Sequence, residues 1–386
     1  MTHPLSRRAA LATLGAAAVA APAGRLRAQP AEIVVGCVLP ITGGFAASGI
    51  QYYNSLRLAQ DDINAAGGIN GSKLRIAFED SQASNSVAVN AFVKLVQQYP
   101  ALPFMFLPSL SGQDLAIEPE VLKEKIPAMY GGGAVAVQER RNPWMFRLRP
   151  ADNLQGGAIA FAVTEYLKKK KPGILHTQDD YGLGAANAVE AALAKAGTPI
   201  VAKEAFGARD NDFSAQLLSL KSKGADVIVG FTYNRDGALI LSQRKRLGID
   251  LPYVGGSATV APSTLTLVGP EDLEGVLGIA DAVLGASVSP ASEAFVKRYT
   301  DKYGFAPDPY GAAYYDGAMI LVQALKAAGP DRAKLRDHLA TLDGYTGLTR
   351  SFRTDADNNM AHSLVLVKFK PGTKDFDAVA TFPKQS

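Results

Sequence analysis

The sequence predicts an α/β protein made of two doubly wound, Rossmann-like lobes. Short apolar segments alternate along the chain with amphipathic segments of helical length, a pattern typical of parallel sheets with helices on both faces. The segments outnumber the strands of one compact sheet, and 386 residues suffice for two domains of roughly 100–200 residues each. Hydrophobic residues make up 47% of the chain and charged residues 20%, so large cores can form.

The first 31 residues have the pattern of an export signal. Arg7 and Arg8 precede a run of small and apolar residues that ends near Ala21. A membrane-spanning helix needs about 20 apolar residues, so this run is too short to span. A basic start, a short apolar stretch and small residues at the end predict secretion, and the paired arginines indicate the twin-arginine route. Ala23 and Ala28 are both possible last residues of the signal, and we expect the mature chain in the periplasm.

The charge pattern argues against a nucleic-acid or membrane-surface protein. The net charge of +4 comes from four arginines in residues 1–31, which leaves 36 of the 40 Lys and Arg residues against 36 Asp and Glu. A neutral body lacks the broad positive field that binds phosphates. Cys37 is the single cysteine, so the chain has no internal disulfide and no thiolate metal cluster.

In the first predicted lobe, strands and helices alternate up to residue 150. We predict strands at 32–39, 73–79, 102–107 and 126–130, and helices at 50–64, 87–97 and 113–125. The first helix ends before Gly67 and Gly68, where a left-handed cap favours glycine. The lobe boundary is predicted where an extended segment meets a new helix with Asp152 as its cap.

The second lobe repeats the alternation. Its predicted helices are 153–170, 182–196, 212–223 and 236–247, and its predicted strands are 173–177, 199–205, 225–230 and 252–255. Phe213, Leu217 and Leu220 form the apolar stripe of the third helix. Further helices are predicted near 290–303, 310–328 and 331–341, and further strands near 363–369 and 376–381.

Sequence motifs for catalysis, metals or nucleotides are missing. The chain has no HExxH, CxxC, phosphate loop or GxSxG, and Gly182-Leu183-Gly184 lacks the third glycine of a dinucleotide fingerprint. Outside the signal, the histidines are His176, His338 and His362, which are far apart in sequence. We therefore predict no enzyme activity, no metal and no cofactor.

Small polar residues stand where predicted strands give way to helices. Ser109 and Ser111 follow the third strand, and hydroxyls with free N–H groups at a helix start bind carboxylates well. Residues 131–133 are three glycines after the fourth strand, which permit close approach to the backbone. Each feature alone could be a helix cap or a tight turn. Together with residues 42–45 they predict a ligand site.

Six segments resemble one family. The sequence is similar to the periplasmic substrate-binding proteins of branched-chain amino acid ABC importers at GCVLPITGG (36–44), DDINAAGGING (61–71), FRLRPADNLQG (146–156), DDYGLG (179–184), 212–229 and 312–321. The resemblance implies two lobes, 32–150 with about 282–345 and 151–281 with about 346–386, joined by a three-segment hinge. It also implies a monomer that closes around a small solute and delivers it to a membrane permease with its ATPase.

The resemblance also implies a ligand site. Ser109 would give its hydroxyl to the ligand carboxylate, Gly132 and Gly133 would offer backbone groups, and Tyr181 would close from the second lobe. The alternative for Tyr181 and Tyr310 is core or rim packing. The remaining positions carried over are Phe45 and Ser48 in the first loop, Leu107 and Pro108 in one wall, Ala134, the loop Thr232, Tyr233 and Asn234, Ser257, and Tyr310 as an apolar wall.

Two departures from the family bear on the ligand. Ala134 stands where amino-acid binders have a hydroxyl, and Ser257 stands near the place of a carboxylate for the ligand ammonium. An unpaired, desolvated ligand charge costs roughly 2–5 kcal/mol. The sequence therefore favours a carboxylate with an apolar or aromatic body and no ammonium group. Amino acids remain an alternative if an acid such as Asp236 or Asp316 takes that role, as do an exported enzyme and a sensor of the same fold.

Overall fold

The computed structural model describes residues 32–383, so the predicted export signal lies outside the described residues. Within this range two large sheets organise the chain, and the predicted α/β fold of two doubly wound lobes is confirmed. The strands are β1 Glu32–Leu39, β2 Lys73–Asp80, β3 Met105–Phe106, β4 Ala128–Tyr130, β5 Met145–Arg147, β6 Pro172–Thr177, β7 Ala202–Phe206, β8 Val227–Phe231, β9 Tyr253–Gly255, β10 Val276–Ala280, β11 Tyr345–Thr346, β12 Ser351–Phe352, β13 Leu364–Phe369 and β14 Phe376–Phe382. The helices are α1 Ala46–Ala65, α2 Asn85–Gln98, α3 Ser111–Glu124, α4 Val135–Glu139, α5 Asp152–Phe161, α6 Asp180–Lys195, α7 Ser214–Ser222, α8 Asn234–Arg246, α9 Pro262–Leu265, α10 Pro290–Tyr303, α11 Pro309–Ala328 and α12 Arg332–Ala340.

The first lobe is built on a parallel sheet in the order β2-β1-β3-β4-β5. Alternate residues of β1 point to opposite faces, as a strand requires. Val35 and Cys37 enter a core with α1, α10, α11 and α12, whereas Val38 enters the core on the other face with α2 and α3. Helices on both faces leave the carboxyl ends of the strands free to form a ligand site.

The second lobe is built on a sheet in the order β14-β13-β10-β9-β8-β6-β7. Five strands are parallel, and β13 and β14 add an antiparallel hairpin at one edge. Leu175 faces the core with α7 and α8, and Ile174 faces the core with α5 and α6. The predicted apolar stripe of α7 is confirmed, because Phe213, Leu217 and Leu220 are all fully buried.

The chain passes between the two sheets three times. It leaves the first lobe after β5 and returns to it after β10, where α10–α12 pack on the first sheet. It leaves the first lobe again before β13. Leu348, Phe352, Met360 and Ala361 lie in the core of the first lobe. The last passage therefore follows Ala361, and it lies further along the chain than the position near residue 346 that the resemblance implied.

Several predicted elements were wrong in detail. Central strand β10 was missed, because five apolar residues do not reveal whether they form strand or helix. Short β5 and α4 were missed for the same reason. The predicted helix 153–170 ends as α5 and continues as a π-helical turn over Ala162–Tyr166, and its cap is Ala151 rather than Asp152. Among residues 32–383, no helix combines the length and the apolar character needed to cross a membrane.

Candidate functional site

A cavity lies between the two lobes, where the carboxyl ends of their strands face each other. Nine of the predicted ligand residues line it together: Phe45, Ser48, Ser109, Gly133, Tyr181, Thr232, Tyr233, Asn234 and Tyr310. Six further residues complete the lining: Pro40, Tyr52, Leu110, Ser111, Arg149 and Ala258. The volume of about 40 Å³ leaves space for about three water molecules. The lobes are therefore closed on each other in this structure.

The other five predicted residues lie behind the lining and bond within the protein. The Leu107 carbonyl accepts from the Tyr314 hydroxyl (2.6 Å), and the Pro108 carbonyl accepts from the Gly131 N–H (3.0 Å). Ala134 donates its N–H to Ser111 Oγ (3.1 Å). Gly132 and Ser257 donate to the carboxylates of Asp114 and Asp281. These five positions shape the cavity from outside.

The first-lobe wall of the cavity consists of Ser109, Ser111, Gly133 and Arg149. Ser109 follows β3, and Ser111 is the first residue of α3, so the sheet edge and the helix start meet there. Each serine hydroxyl accepts a hydrogen bond, Ser109 from Arg149 Nη1 (3.0 Å) and Ser111 from the Ala134 N–H. The Ser111 hydroxyl therefore keeps its own proton for a ligand, whereas the Ser109 hydroxyl also lies at hydrogen-bonding reach of the Tyr52 hydroxyl. The start of α3 favours negative charge.

The glycines beside Ser111 leave no room for side chains. The Gly132 N–H donates to Asp114 Oδ2 (2.9 Å), and a Cβ at Gly132 would lie 2.3 Å from that oxygen and 2.9 Å from Ser111 Cα. A Cβ at Gly133 would lie 2.2 Å from Asp152 Oδ1. Both positions therefore require glycine, because neighbouring atoms fill the space that a Cβ would occupy. The missing side chains also let a ligand reach the backbone.

Arg149 is the charged residue of the lining, and the sequence did not predict it. Its guanidinium stands at the cavity between three first-lobe groups and one carboxylate. Nη1 donates to Ser109 Oγ and to the Gly131 carbonyl (2.9 Å), while Nε donates to Asp281 in an ion pair whose side chains are 10% and 2% exposed. The guanidinium carbon lies 4.0 Å from the centre of the Tyr310 ring, so a cation–π contact covers one face. Nη2 makes no hydrogen bond within residues 32–383.

A signal for Arg149 was present in the sequence. It lies two residues beyond the end of β5, and the rule that singled out Ser109 after β3 and Gly131 after β4 applies equally there. Because β5 was not predicted, the arginine was taken as part of a connecting segment. Tyr52 projects from α1 and stacks on Tyr314, with ring centres 4.9 Å apart. Its position on a helix gives no comparable signal.

A chain of buried polar groups leads from Arg149 into the second lobe. Asp281 Oδ1 accepts from the Ser257 hydroxyl (2.6 Å), which also lies 3.2 Å from Gln155 Oε1. Gln155 Nε2 in turn donates to Asp152 Oδ1 (3.0 Å). Ser257 itself carries no charge, but it directly contacts an acid that sequence reasoning did not identify. The negative charge of Asp281 is paired with Arg149.

Electrostatics around the cavity favour an anion. Burial opposes the charge of Arg149, but Asp281, Tyr310 and Tyr52 together outweigh it and hold the pKa of the guanidinium well above its ordinary value. Burial raises the pKa of Asp152 to about 7 and that of Asp114 well above its ordinary value. A buried acid with a raised pKa is neutral over a wider pH range. Below pH 7, Asp152 is therefore mainly neutral and adds little negative charge beside Arg149.

The second-lobe wall consists of Tyr181, Thr232, Tyr233, Asn234 and Ala258. Asp179 caps α6 by accepting from the Gly182 N–H (2.8 Å), which fixes the turn that carries Tyr181. Tyr181 and Tyr233 are ring neighbours at 5.2 Å. Across the cleft, the Phe45 and Tyr233 rings meet edge to face at 4.4 Å, and Ser48 Oγ lies 3.5 Å from Asn234 Oδ1. This wall therefore combines two aromatic rings with uncharged hydroxyl and amide groups.

The two acids considered as ammonium partners lie elsewhere. Asp316 accepts the Leu348 N–H on both carboxylate oxygens, inside the first lobe. Asp236 pairs with Arg235 (3.4 Å) and lines a separate cavity at the mouth of the cleft. Neither lines the cavity between the lobes.

The chain is similar to known binding proteins over most of its length. A family model described as periplasmic binding protein matches residues 32–375. The chain is 29% identical over 317 residues to an amino acid binding protein of Pseudomonas aeruginosa, covering 80% of this chain and 82% of that protein. It is 27% identical over 367 residues to Leu/Ile/Val-binding protein homolog 7 of Brucella abortus, covering 89% and 90%.

The fold is also similar to that of a solved binding-protein structure. The branched-chain amino acid transporter substrate binding protein LivJ of Streptococcus pneumoniae, in complex with isoleucine, superposes with a TM-score of 0.82 at 27% identity. The match covers 90% of this chain and 99% of that chain. The similarity thus extends over both lobes and the passages between them.

Proposed function

Because this chain belongs to the periplasmic binding protein family, we propose that it is the extracytoplasmic receptor of an ABC importer for a small carboxylate-bearing solute. The solute binds between the lobes, is held by hinge closure, and passes to a membrane permease driven by an ATPase. The predicted export signal supports a periplasmic location. The family, and the relatives named as binding proteins, support a carrier rather than an enzyme.

One observation carries the carboxylate assignment. A buried arginine, two serine hydroxyls and the start of α3 converge on one side of the cavity. Charged hydrogen bonds to carboxylates are strong, and Arg149 keeps Nη2 free of protein partners within residues 32–383, so that nitrogen can donate to a ligand carboxylate. The two aromatic rings of the second-lobe wall suit an apolar or aromatic body. Contact with both lobes stabilises the closed state over the open state, which is the condition for capture.

A second candidate is a strict branched-chain amino acid receptor. The names of the Brucella relative and of the isoleucine complex favour it. Asp281 is the acid that could pair with an ammonium group, since it lies against Ser257 at the cavity. In the described structure that acid already pairs with Arg149.

A thermal-shift screen of the purified mature protein tests the proposal. The probes are leucine and valine, their keto acids, and benzoate and phenylacetate, and we expect at least one carboxylate to raise the melting temperature by a few degrees. A ligand at 100 times its Kd adds about 2.7 kcal/mol to the free energy of unfolding. Ser109→Ala is expected to weaken binding roughly tenfold to hundredfold, because a hydrogen bond to a charged group contributes about 1.5–3 kcal/mol.

The control is recovery of the bound solute. A carrier releases it chemically unchanged after denaturation, whereas conversion of the solute would indicate an exported enzyme. If no carboxylate shifts the melting temperature, the proposed carboxylate site is wrong. If Ser109→Ala binds as tightly as the wild type, Ser109 does not contact the ligand.

A further inference from the structure

We propose that Arg149 determines specificity by occupying the place of a ligand ammonium group, so that the receptor takes carboxylates without an amino group. The inference rests on the proposed function and sharpens its substrate class. The hydrogen-bond donors and acceptors that surround the cavity decide which ligand charge can be bound. A ligand ammonium brings one positive charge and three N–H donors, so it needs acceptors and a negative charge.

The acceptors on the first-lobe side are already used by Arg149. The guanidinium bonds to Ser109 Oγ, to the Gly131 carbonyl and to Asp281. Asp281 Oδ1 takes the Ser257 hydroxyl, and the Asp281 carbonyl takes Arg350 Nη2. Both carboxylate oxygens of Asp281 are therefore bonded within the protein.

The groups that remain on this side are donors and uncharged hydroxyls. Ser111 accepts an N–H and keeps its hydroxyl proton, Arg149 keeps Nη2, and Ser109 shares its hydroxyl with the hydroxyl of Tyr52. The first N–H groups of α3 add to them, because helix starts leave backbone donors without an intrahelical partner. An ammonium group would meet donors and a like charge here, whereas a carboxylate would meet donors and an opposite charge.

The other acids near the wall do not line the cavity. Asp114 Oδ1 and Asp308 Oδ2 are buried without a partner within the described residues, and Asp179 lies beside Tyr233. Asp152 is 1% exposed, and its Oδ2 likewise has no partner there. It lies behind Gly133, where its N–H donates to the Gly133 carbonyl (2.9 Å), and it does not line the cavity. The oxygens that the second-lobe wall adds, from Tyr181, Thr232, Tyr233 and Asn234, belong to uncharged hydroxyl and amide groups.

Arg149 and Asp281 form an ion pair within the protein, in the place where a ligand ammonium would pair with the acid. Removing the guanidinium would leave Asp281, Ser109 Oγ and the Gly131 carbonyl as a ready set of acceptors for an ammonium group. Arg149→Ala should therefore shift the preference toward amino acids. Removing the acid by Asp281→Asn should strengthen the preference for plain carboxylates, because Arg149 loses the counter-ion that competes with the ligand.

The experiment measures Kd by titration calorimetry for two matched pairs, 4-methylpentanoate with leucine and 3-phenylpropanoate with phenylalanine. We expect the wild type to bind the plain acid of at least one pair at least 100-fold more tightly than the amino acid. We expect Arg149→Ala to lower that ratio at least tenfold and Asp281→Asn to raise it at least threefold. The double variant Arg149→Ala with Asp281→Asn, which lacks both charges, should discriminate within each pair by less than threefold.

The outcomes separate this inference from the proposed function. Wild-type protein that binds leucine or phenylalanine as tightly as the matched acid overturns the role of Arg149 and leaves a carboxylate receptor standing. Binding of none of the four, together with no shift in the wider screen, overturns both. If Arg149→Ala does not fold, Asp281→Asn decides alone, and an unchanged ratio in that variant overturns the inference.

Discussion

The two walls of the cavity differ in how their groups are held. In the first-lobe wall, Ser109, Ser111 and Arg149 each have partners inside the first lobe or the hinge, at hydrogen-bond distances of 2.9–3.1 Å. In the second-lobe wall, Tyr233 contacts Tyr181 of the same lobe and meets the Phe45 ring edge to face across the cleft. The first wall is therefore fixed before a ligand arrives, whereas the second makes its contact with Phe45 only when the lobes close. The first lobe therefore recognises the charge of the ligand, and the second lobe supplies the contacts that form on closure.

The largest expected effect comes from breaking the fixed wall. Gly132→Ala places a Cβ 2.3 Å from Asp114 Oδ2 and 2.9 Å from Ser111 Cα, so the start of α3 must shift. Overpacking of this kind costs about 1–3 kcal/mol. We expect at least 100-fold weaker binding of the carboxylate found in the screen, together with a lower melting temperature, measured by calorimetry and thermal unfolding.

Gly157→Ala is the matched control for this variant. Gly157 lies in α5, and a Cβ there meets no atom within 4 Å. Alanine in a helix interior is more stable than glycine by roughly 0.5–1 kcal/mol, so the control should bind normally and melt slightly higher. Equal binding by both variants would mean that the first wall is not fixed as described.

The second wall should respond differently to truncation. Tyr233→Ala removes the ring that meets Phe45 at 4.4 Å and Tyr181 at 5.2 Å, and aromatic pairs contribute about 0.5–1.5 kcal/mol beyond their buried area. We expect roughly tenfold weaker binding, seen mainly as faster dissociation in stopped-flow measurements, with the plain-acid preference retained. Tyr233→Phe keeps the ring and should bind within about threefold of the wild type. A change of preference in Tyr233→Ala would show that the second wall also recognises charge.

The sequence predicted the fold and the position of part of the first-lobe wall, but not its charged residue Arg149. Alternation of strands and helices gave both sheets, and polar residues after β3 and β4 located Ser109 and Gly133 at the cavity. Arg149 was missed because its role depends on β5, a strand of three residues, and on Asp281, which lies 132 positions away. No local pattern reports an ion pair between segments so distant. The antiparallel β13 and β14 were predicted as strands, but their direction is set by pairing with β10.

The smallest expected effect is a dependence on pH that originates behind the first wall. Burial raises the pKa of Asp152 to about 7, while the positive charges of Arg147 and Arg149 lower it and the negative charge of Asp281 raises it further. As the pH rises through 7, Asp152 gains a negative charge behind Gly133 and repels a bound carboxylate. A bound anion in turn raises the pKa of Asp152, so binding takes up protons.

Affinity for the carboxylate should therefore fall as the pH rises from 6 to 8, by roughly threefold to tenfold. Asp152→Asn is isosteric and neutral, and it should reduce the change of Kd across that range, while Asp308, whose pKa burial also raises to about 7, accounts for the remainder. Calorimetry in buffers of different ionisation enthalpy would detect the proton uptake directly. An affinity that rises with pH would place the titrating group in the ligand or in the second wall, and it would remove Asp152 from the electrostatics of the site.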